Sequence, residues 1–324
     1  MRRIAILGAG AWGTALAAVA REAGREVVLW ARRESQARAI AETGRNEAYL
    51  AGVDLGPGIA ATAEAAEAAA ADAVLLAVPA QAVRATCERF ARHLAPTLPV
   101  AVCAKGVERD SAKTMSEVLG EALPANPVAI LSGPTFAGEV ARGQPTAVTL
   151  ACRDLALAET LAGALATPAF RPYHSDDVAG AEIGGAVKNV LAIACGITEG
   201  RGLGENARAA LITRGLAEMT RLACARGGRA ETMMGLAGLG DLTLSCASRS
   251  SRNYSHGVAL GAGRKPDGGA VVEGVPTSAA LARLAGRHGV EMPIADAVAA
   301  ILHRGADIDA VIAGLLARPR RAEA

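Results

Sequence analysis

Short runs of consecutive apolar residues alternate with longer helix-forming stretches through the first half of the chain. Arg3–Leu7, Arg25–Trp30, Ala73–Val78, Val100–Ala104, Val128–Leu131 and Ala147–Leu150 are apolar at nearly every position, the pattern of strands buried on both faces. Between them, Thr14–Ala23 (closed by Gly24), Gln81 to about His93, Thr114–Ala122 and Leu155–Leu165 read as helices. Strand and helix in alternation predict an α/β domain, a mostly parallel sheet with helices on both faces. The alanine- and glutamate-rich segment 61–71 reads as a solvated helix carrying no motif. Near residue 176 the strand-like runs stop. Helices are predicted over about 178–199, 206–226, 277–288, 293–303 and 307–317, with Asp176-Asp177 capping the first. The expected division is therefore a sheet domain over 1–176 and an all-helical domain over 177–324.

The first strand runs directly into Gly8-Ala9-Gly10-Ala11-Trp12-Gly13 and then into a run of good helix formers. Strand, Gly-x-Gly-x-x-Gly and helix in that order form the dinucleotide-binding fingerprint of a Rossmann-type domain. Gly8 makes the turn, Gly10 admits the pyrophosphate and Gly13 lets helix and strand pack closely. The pyrophosphate is expected on the helix N-terminus. The second strand ends in Ala31-Arg32-Arg33 where an NAD-binding protein usually carries an acidic residue. Two guanidiniums there suit a 2′-phosphate, which favours NADPH over NADH; the alternative is that both solvate the start of a surface helix, with Glu34 partly cancelling them.

Composition narrows the remaining choices. A chain of 324 residues, 51% hydrophobic, can build two cores. A net charge of +2, no basic stripe and only eight aromatic residues argue against a nucleic-acid surface. The first apolar segment is the opening strand and not a secretory h-region. Val178–Ile197, the longest apolar stretch, is interrupted by Glu182 and Lys188 and reads as a core helix, with no membrane span expected. Six scattered cysteines (Cys87, Cys103, Cys152, Cys195, Cys224, Cys246) fit reduced core thiols in a cytoplasmic protein. None of the five histidines has metal-ligand spacing, and no metal is expected.

In parallel sheets of this kind ligands bind at the carboxyl ends of the strands, and three such loops carry candidate chemistry: Val78-Pro79, Ala104-Lys105-Gly106 and Ser132-Gly133-Pro134-Thr135-Phe136-Ala137. For Lys105 the alternative is a surface lysine, and for Gly133-Pro134 an ordinary turn. Of the 34 basic residues only four are lysines, and one of them, Lys188, lies in the Gly-rich apolar run Gly184–Val190. A lysine kept there in so arginine-rich a chain points to reversible proton transfer, which a guanidinium cannot perform.

These blocks, with Asn206–Gly215, Gly235–Asp241, Ser251-Arg252-Asn253 and Val271–Gly274, occur in the order found in the soluble bacterial NAD(P)-dependent glycerol-3-phosphate dehydrogenases, and nearly the whole chain resembles that family. The resemblance implies reversible hydride transfer between a nicotinamide and the second carbon of dihydroxyacetone phosphate, giving sn-glycerol 3-phosphate for phospholipid synthesis. It implies that Lys188 exchanges the proton. It assigns substrate contacts to Lys105, Gly133, Thr135, Lys188, Asp241, Ser251, Arg252 and Asn253. Cofactor contacts fall on Ala11, Trp12, Arg32, Arg33, Tyr49, Lys105, Ala137, Arg252, Val271 and Glu273, beside the glycines of the loop. Such a set is chemically coherent: burial lowers the pKa of a lysine and a neighbouring carboxylate, here Asp241, opposes that, while a guanidinium and a helix start suit a phosphate dianion. A homodimer is the default assembly. The alternatives are a sister dehydrogenase acting on a hydroxy acid or sugar nucleotide, which needs a different substrate block, and a non-catalytic redox sensor, which could lose Lys188.

Overall fold

The computed structural model describes residues 1–266, 268–269 and 271–319. Eight strands, β1 Arg3–Leu7, β2 Glu26–Trp30, β3 Ile59–Thr62, β4 Ala73–Leu76, β5 Val100–Val102, β6 Val128–Ser132, β7 Thr146–Cys152 and β8 Phe170–Ser175, form one sheet in the order β3-β2-β1-β4-β5-β6-β7-β8. Every neighbouring pair is parallel except β6–β7. Seven helices serve the sheet: α1 Ala11–Glu22, α2 Glu34–Thr43, α3 Ala65–Ala69, α4 Val83–Phe90, α5 Met115–Ala122, α6 Ala137–Ala141 and α7 Leu155–Leu165. Ile4, Ile6 and Leu29 face one apolar layer while Ala5, Leu7, Val28 and Trp30 face the other. The two-residue pleat therefore buries both faces, and this is why the strands lack polar alternation.

From residue 177 the chain is helical: α8 Val178–Gly200, α9 Gly204–Ala225, α10 Ala230–Met233, α11 Asp241–Cys246, α12 Arg252–Gly261, α13 Gly274–Arg287, α14 Pro293–Arg304 and α15 Ile308–Leu316, with a π-helical turn at Leu236–Gly240. Asp177 is the N-cap of α8, its carboxylate accepting from Gly180 N at 2.8 Å. α8 is long and apolar enough to cross a membrane, yet nearly all of it is buried inside the protein. It is the axis of the helical core, with α9, α11, α12, α13 and α14 packed around it.

Two expectations need correction, and one strand lies outside the apolar pattern. Segment 61–71 is not simply a solvated helix: it takes in the end of edge strand β3 and the short α3, which buries Ala65, Ala68 and Ala69 against the sheet. Methyl-sized side chains fit a close helix–sheet contact, so alanine content hid an apolar face. The second edge strand, β8, is mostly exposed and contains Pro172, a residue tolerated only where a ladder donor is dispensable, so its sequence lacks an apolar run. Cys224 is exposed, whereas the other five thiols are buried.

Candidate active site

The glycine loop follows β1 at the carboxyl edge of the sheet. Gly8 has φ +119°, and a Cβ there would meet Ala77 O at 2.8 Å; a Cβ on Gly13 would fall 1.8 Å from Gly8 O. These two glycines are required by the fold itself. Gly10 is different: its backbone is extended and a Cβ on it would meet nothing within 4 Å. The free space at Gly10 fits the approach of a dinucleotide to bare backbone. It lies at the N-cap of α1, whose first turn has no capping side chain and no acidic residue, leaving free N–H donors and the positive helix end for a pyrophosphate. Ala11 opens that helix, and Trp12 follows with its indole Nε1 buried and unpartnered. Asn46 braces the loop, donating to Ala9 O at 3.0 Å and to Thr14 Oγ1 at 2.7 Å.

Arg32 and Arg33 are exposed beyond the end of β2, and Arg33 is the N-cap residue of α2. The Arg33 guanidinium donates to the hydroxyl of half-exposed Tyr49 at 3.3 Å. These three residues thus lie together on the side of the loop where the adenosine of a dinucleotide belongs. Ala137 begins α6, which packs on α1.

At the other end of the same edge, three elements meet at one carboxylate. Asp241, fully buried at the start of α11, takes Lys105 Nζ on Oδ2 at 2.7 Å and Lys188 Nζ on Oδ1 at 3.0 Å. Lys188 also donates to Ser245 Oγ at 2.8 Å, and Ser245 in turn donates to Asp241 Oδ1 at 3.3 Å. Lys105 reaches Gly133 O at 2.7 Å and Thr135 Oγ1 at 3.4 Å. The approach depends on Gly184, one turn before Lys188, where a Cβ would fall 2.2 Å from Ala237 O. Any side chain there would push the π turn and Asp241 off α8.

Charge follows geometry. Burial works to raise the Asp241 carboxyl, but the two ammoniums outweigh it and hold Asp241 below its ordinary value. Burial pushes Lys105 down; Asp241 opposes this and the like charge of Lys188 adds to it. Two lysines thus share one carboxylate at the junction of β5, α8 and α11.

A chain of amides ties this cluster to the remaining candidates. Asn189 Nδ2 donates to Lys105 O at 2.9 Å, Asn253 Nδ2 donates to Asn189 Oδ1 at 2.8 Å, and Gly274 N donates to Asn253 Oδ1 at 2.8 Å. Glu273, beside Gly274, accepts from Ala80 N on Oε1 at 3.0 Å, while its buried Oε2 has no partner. Burial raises the Glu273 carboxyl, against the Ala80 N–H and the charge of Arg252. Val271, half exposed, precedes α13. Of the Ser251-Arg252-Asn253 triplet, Ser251 is spent as the N-cap of α12, accepting from Tyr254 N at 3.3 Å, and Asn253 is spent in the amide chain. Only Arg252 is exposed and without a hydrogen-bond partner among the described residues. Asn189 and Ser245 were not singled out in the sequence. Ser245 carries a legible signal, standing one helical turn from Asp241 on the same face.

A sheet half that offers a free helix N-terminus, and a helical half that brings Lys188 and Asp241 against Lys105 beyond the end of β5, mark a dinucleotide-dependent dehydrogenase. The family model for the N-terminus of NAD-dependent glycerol-3-phosphate dehydrogenases matches residues 3–158, the model for their C-terminus matches residues 177–313, and the chain belongs to this family. It is 57% identical to the glycerol-3-phosphate dehydrogenase [NAD(P)+] of Rhodospirillum rubrum, over 99% of this chain and 93% of the relative. It is 54% identical to that of Parvibaculum lavamentivorans, over 99% and 98%. The crystal structure of glycerol-3-phosphate dehydrogenase from Coxiella burnetii superposes with a TM-score of 0.93 at 39% identity, covering 98% of this chain and 99% of that one.

Proposed function

We propose that this protein reduces dihydroxyacetone phosphate reversibly to sn-glycerol 3-phosphate, with NADPH preferred over NADH, and so feeds phospholipid synthesis in the cytoplasm. The observation that carries the site assignment is the Lys105–Asp241–Lys188 cluster between the two halves of the chain. When bound, the nicotinamide gives or takes the hydride. Lys188 holds a proton on Nζ for the substrate oxygen, which gains negative charge as the carbonyl is reduced. Asp241 and Ser245 fix the direction of that ammonium. Lys105 adds a second positive charge and, with Thr135 and the backbone of Gly133, orients the substrate. Arg252, at the positive start of α12, engages the phosphate, with Ser251 and Asn253 as further substrate contacts. On the cofactor side Gly8, Gly10, Ala11, Trp12, Gly13 and Ala137 form the pyrophosphate cradle, and Arg32, Arg33 and Tyr49 the 2′-phosphate end. Arg252, Val271 and Glu273 close over the nicotinamide end. The division of labour places the cofactor half over 1–176 and the substrate half over 177–324, with a homodimer as the default assembly.

The test is direct: follow NADPH oxidation with dihydroxyacetone phosphate, with NADH in its place, and with unphosphorylated dihydroxyacetone. Turnover with the phosphorylated ketone, little with the bare one and a lower KM for NADPH support the reading; equal use of both ketones refutes it.

A further inference from the structure

On the exposed face of α12 lies a cleft of about 360 Å³ whose polar lining is Arg249, Arg252, Ser255, His256, Arg264 and Lys265. Arg252, His256 and Ala259 follow one another at helical spacing along its floor, and the chain after α12 brings Arg264 and Lys265 to the other wall. Arg249 is neutralised by Glu199, to which its Nε donates at 3.0 Å. The side chains of Arg252, Arg264 and Lys265 make no ion pair or hydrogen bond among the described residues. His256 Nδ1 is buried and has no partner.

We propose that this cleft is an accessory anion site for a small phosphate-bearing compound, set beside the dehydrogenase centre and sharing Arg252 with it. Three cations that form no ion pair among the described residues, set around one concavity, attract an anion of two or more charges. A volume near the lower end of ligand pockets fits an organic phosphate or a diphosphate. The half-buried His256 imidazole lines the cleft, its buried Nδ1 without a partner among the described residues. Burial holds His256 below its ordinary value, and an adjacent dianion would favour its charged form. Ser255 Oγ already donates to Arg249 O at 2.7 Å, so the donors left for the ligand are the imidazole and the three cations. An anion bound here draws the Arg252 guanidinium toward α12. On the reading of Arg252 as the substrate-phosphate contact, that raises KM for dihydroxyacetone phosphate with little change in kcat.

The experiment uses the full chain, saturated with NADPH so that the glycine loop is occupied, and titrates inorganic pyrophosphate by calorimetry. The comparison variant is Arg264→Glu/Lys265→Glu, which touches none of the residues assigned to turnover. The wild type should bind pyrophosphate at least tenfold more tightly than the variant, and Lys188→Ala should bind it like the wild type. Equal affinity in wild type and double variant, or none in either, overturns the site. In steady state, pyrophosphate should raise KM for dihydroxyacetone phosphate in the wild type and lose that effect in the double variant. Binding without any change in KM overturns the coupling through Arg252. The calorimetric result does not depend on turnover, so failure of the dehydrogenase reading leaves it standing.

Discussion

Asp241→Asn is the most informative single perturbation of the site, because one carboxylate serves two buried ammoniums at 2.7 and 3.0 Å. At an effective dielectric of about 20, each contact carries an attraction of roughly 5 kcal/mol, most of it offset by the desolvation of both partners. What the substitution removes is the compensation, and breaking a buried pair while leaving its partner in place costs about 3–5 kcal/mol. Asparagine keeps the shape and one acceptor, so the chain should still fold, with a melting temperature several degrees lower. Without the carboxylate, Lys105 loses the charge that opposes its burial and is pushed further below its ordinary value. Turnover should fall about 10²- to 10⁴-fold, the range of a displaced acid catalyst, with NADPH affinity nearly intact. The assay is NADPH oxidation between pH 5.5 and 9, paired with thermal melts. A kcat within twofold of wild type refutes the argument that Asp241 holds the donor in place.

Further outcomes follow from the same geometry. Gly10→Ala should melt like the wild type, since its Cβ meets nothing within 4 Å, yet bind NADPH at least tenfold more weakly in a fluorescence titration. Gly13→Ala, whose Cβ would fall 1.8 Å from Gly8 O, should instead lose stability by several kcal/mol. Arg32→Ser/Arg33→Asp should raise KM for NADPH by tenfold or more and leave that for NADH within about threefold, with similar losses for both refuting the 2′-phosphate assignment. Glu218, buried and accepting from Ile294 N and Ala295 N at 2.8 and 3.3 Å, is pushed up by burial to about 7. Its folded-state value lies above that of the unfolded chain, so the folded form keeps the proton longer. The stabilisation is complete below about pH 4.3 and is lost as pH rises through 7, a swing of up to about 3 kcal/mol. Glu218→Gln should flatten that part of the stability profile in urea melts, and an unchanged slope would remove Glu218 from the account.

Legibility from sequence tracked how far a feature is local. The fold of the glycine loop was legible, because strand, turn and helix are contiguous and Gly8 and Gly13 each have a steric reason. The sheet was legible where strands are buried on both faces, and illegible at β3 and β8, where an edge position removes the need for an apolar run. Lys188 stood out because lysine is so rare here and because it interrupts an apolar helix. Its meeting with Lys105 and Asp241 was not readable from spacing: the contacts span 136 and 53 positions and depend on a π turn that no periodicity announces. For the same reason the sequence did not show that Ser251 also caps α12 and that Asn253 also links α8 to α13. Asn189, adjacent to Lys188, was overlooked because its work lies entirely in tertiary hydrogen bonds.

The account rests on the proton of Lys188, and single-turnover kinetics of Lys188→Ala measure it most directly. With NADPH and dihydroxyacetone phosphate premixed at saturation, the hydride-transfer burst should slow by at least a thousandfold while the NADPH Kd stays within threefold of wild type. A burst at the wild-type rate, from enzyme that binds both ligands normally, would contradict it.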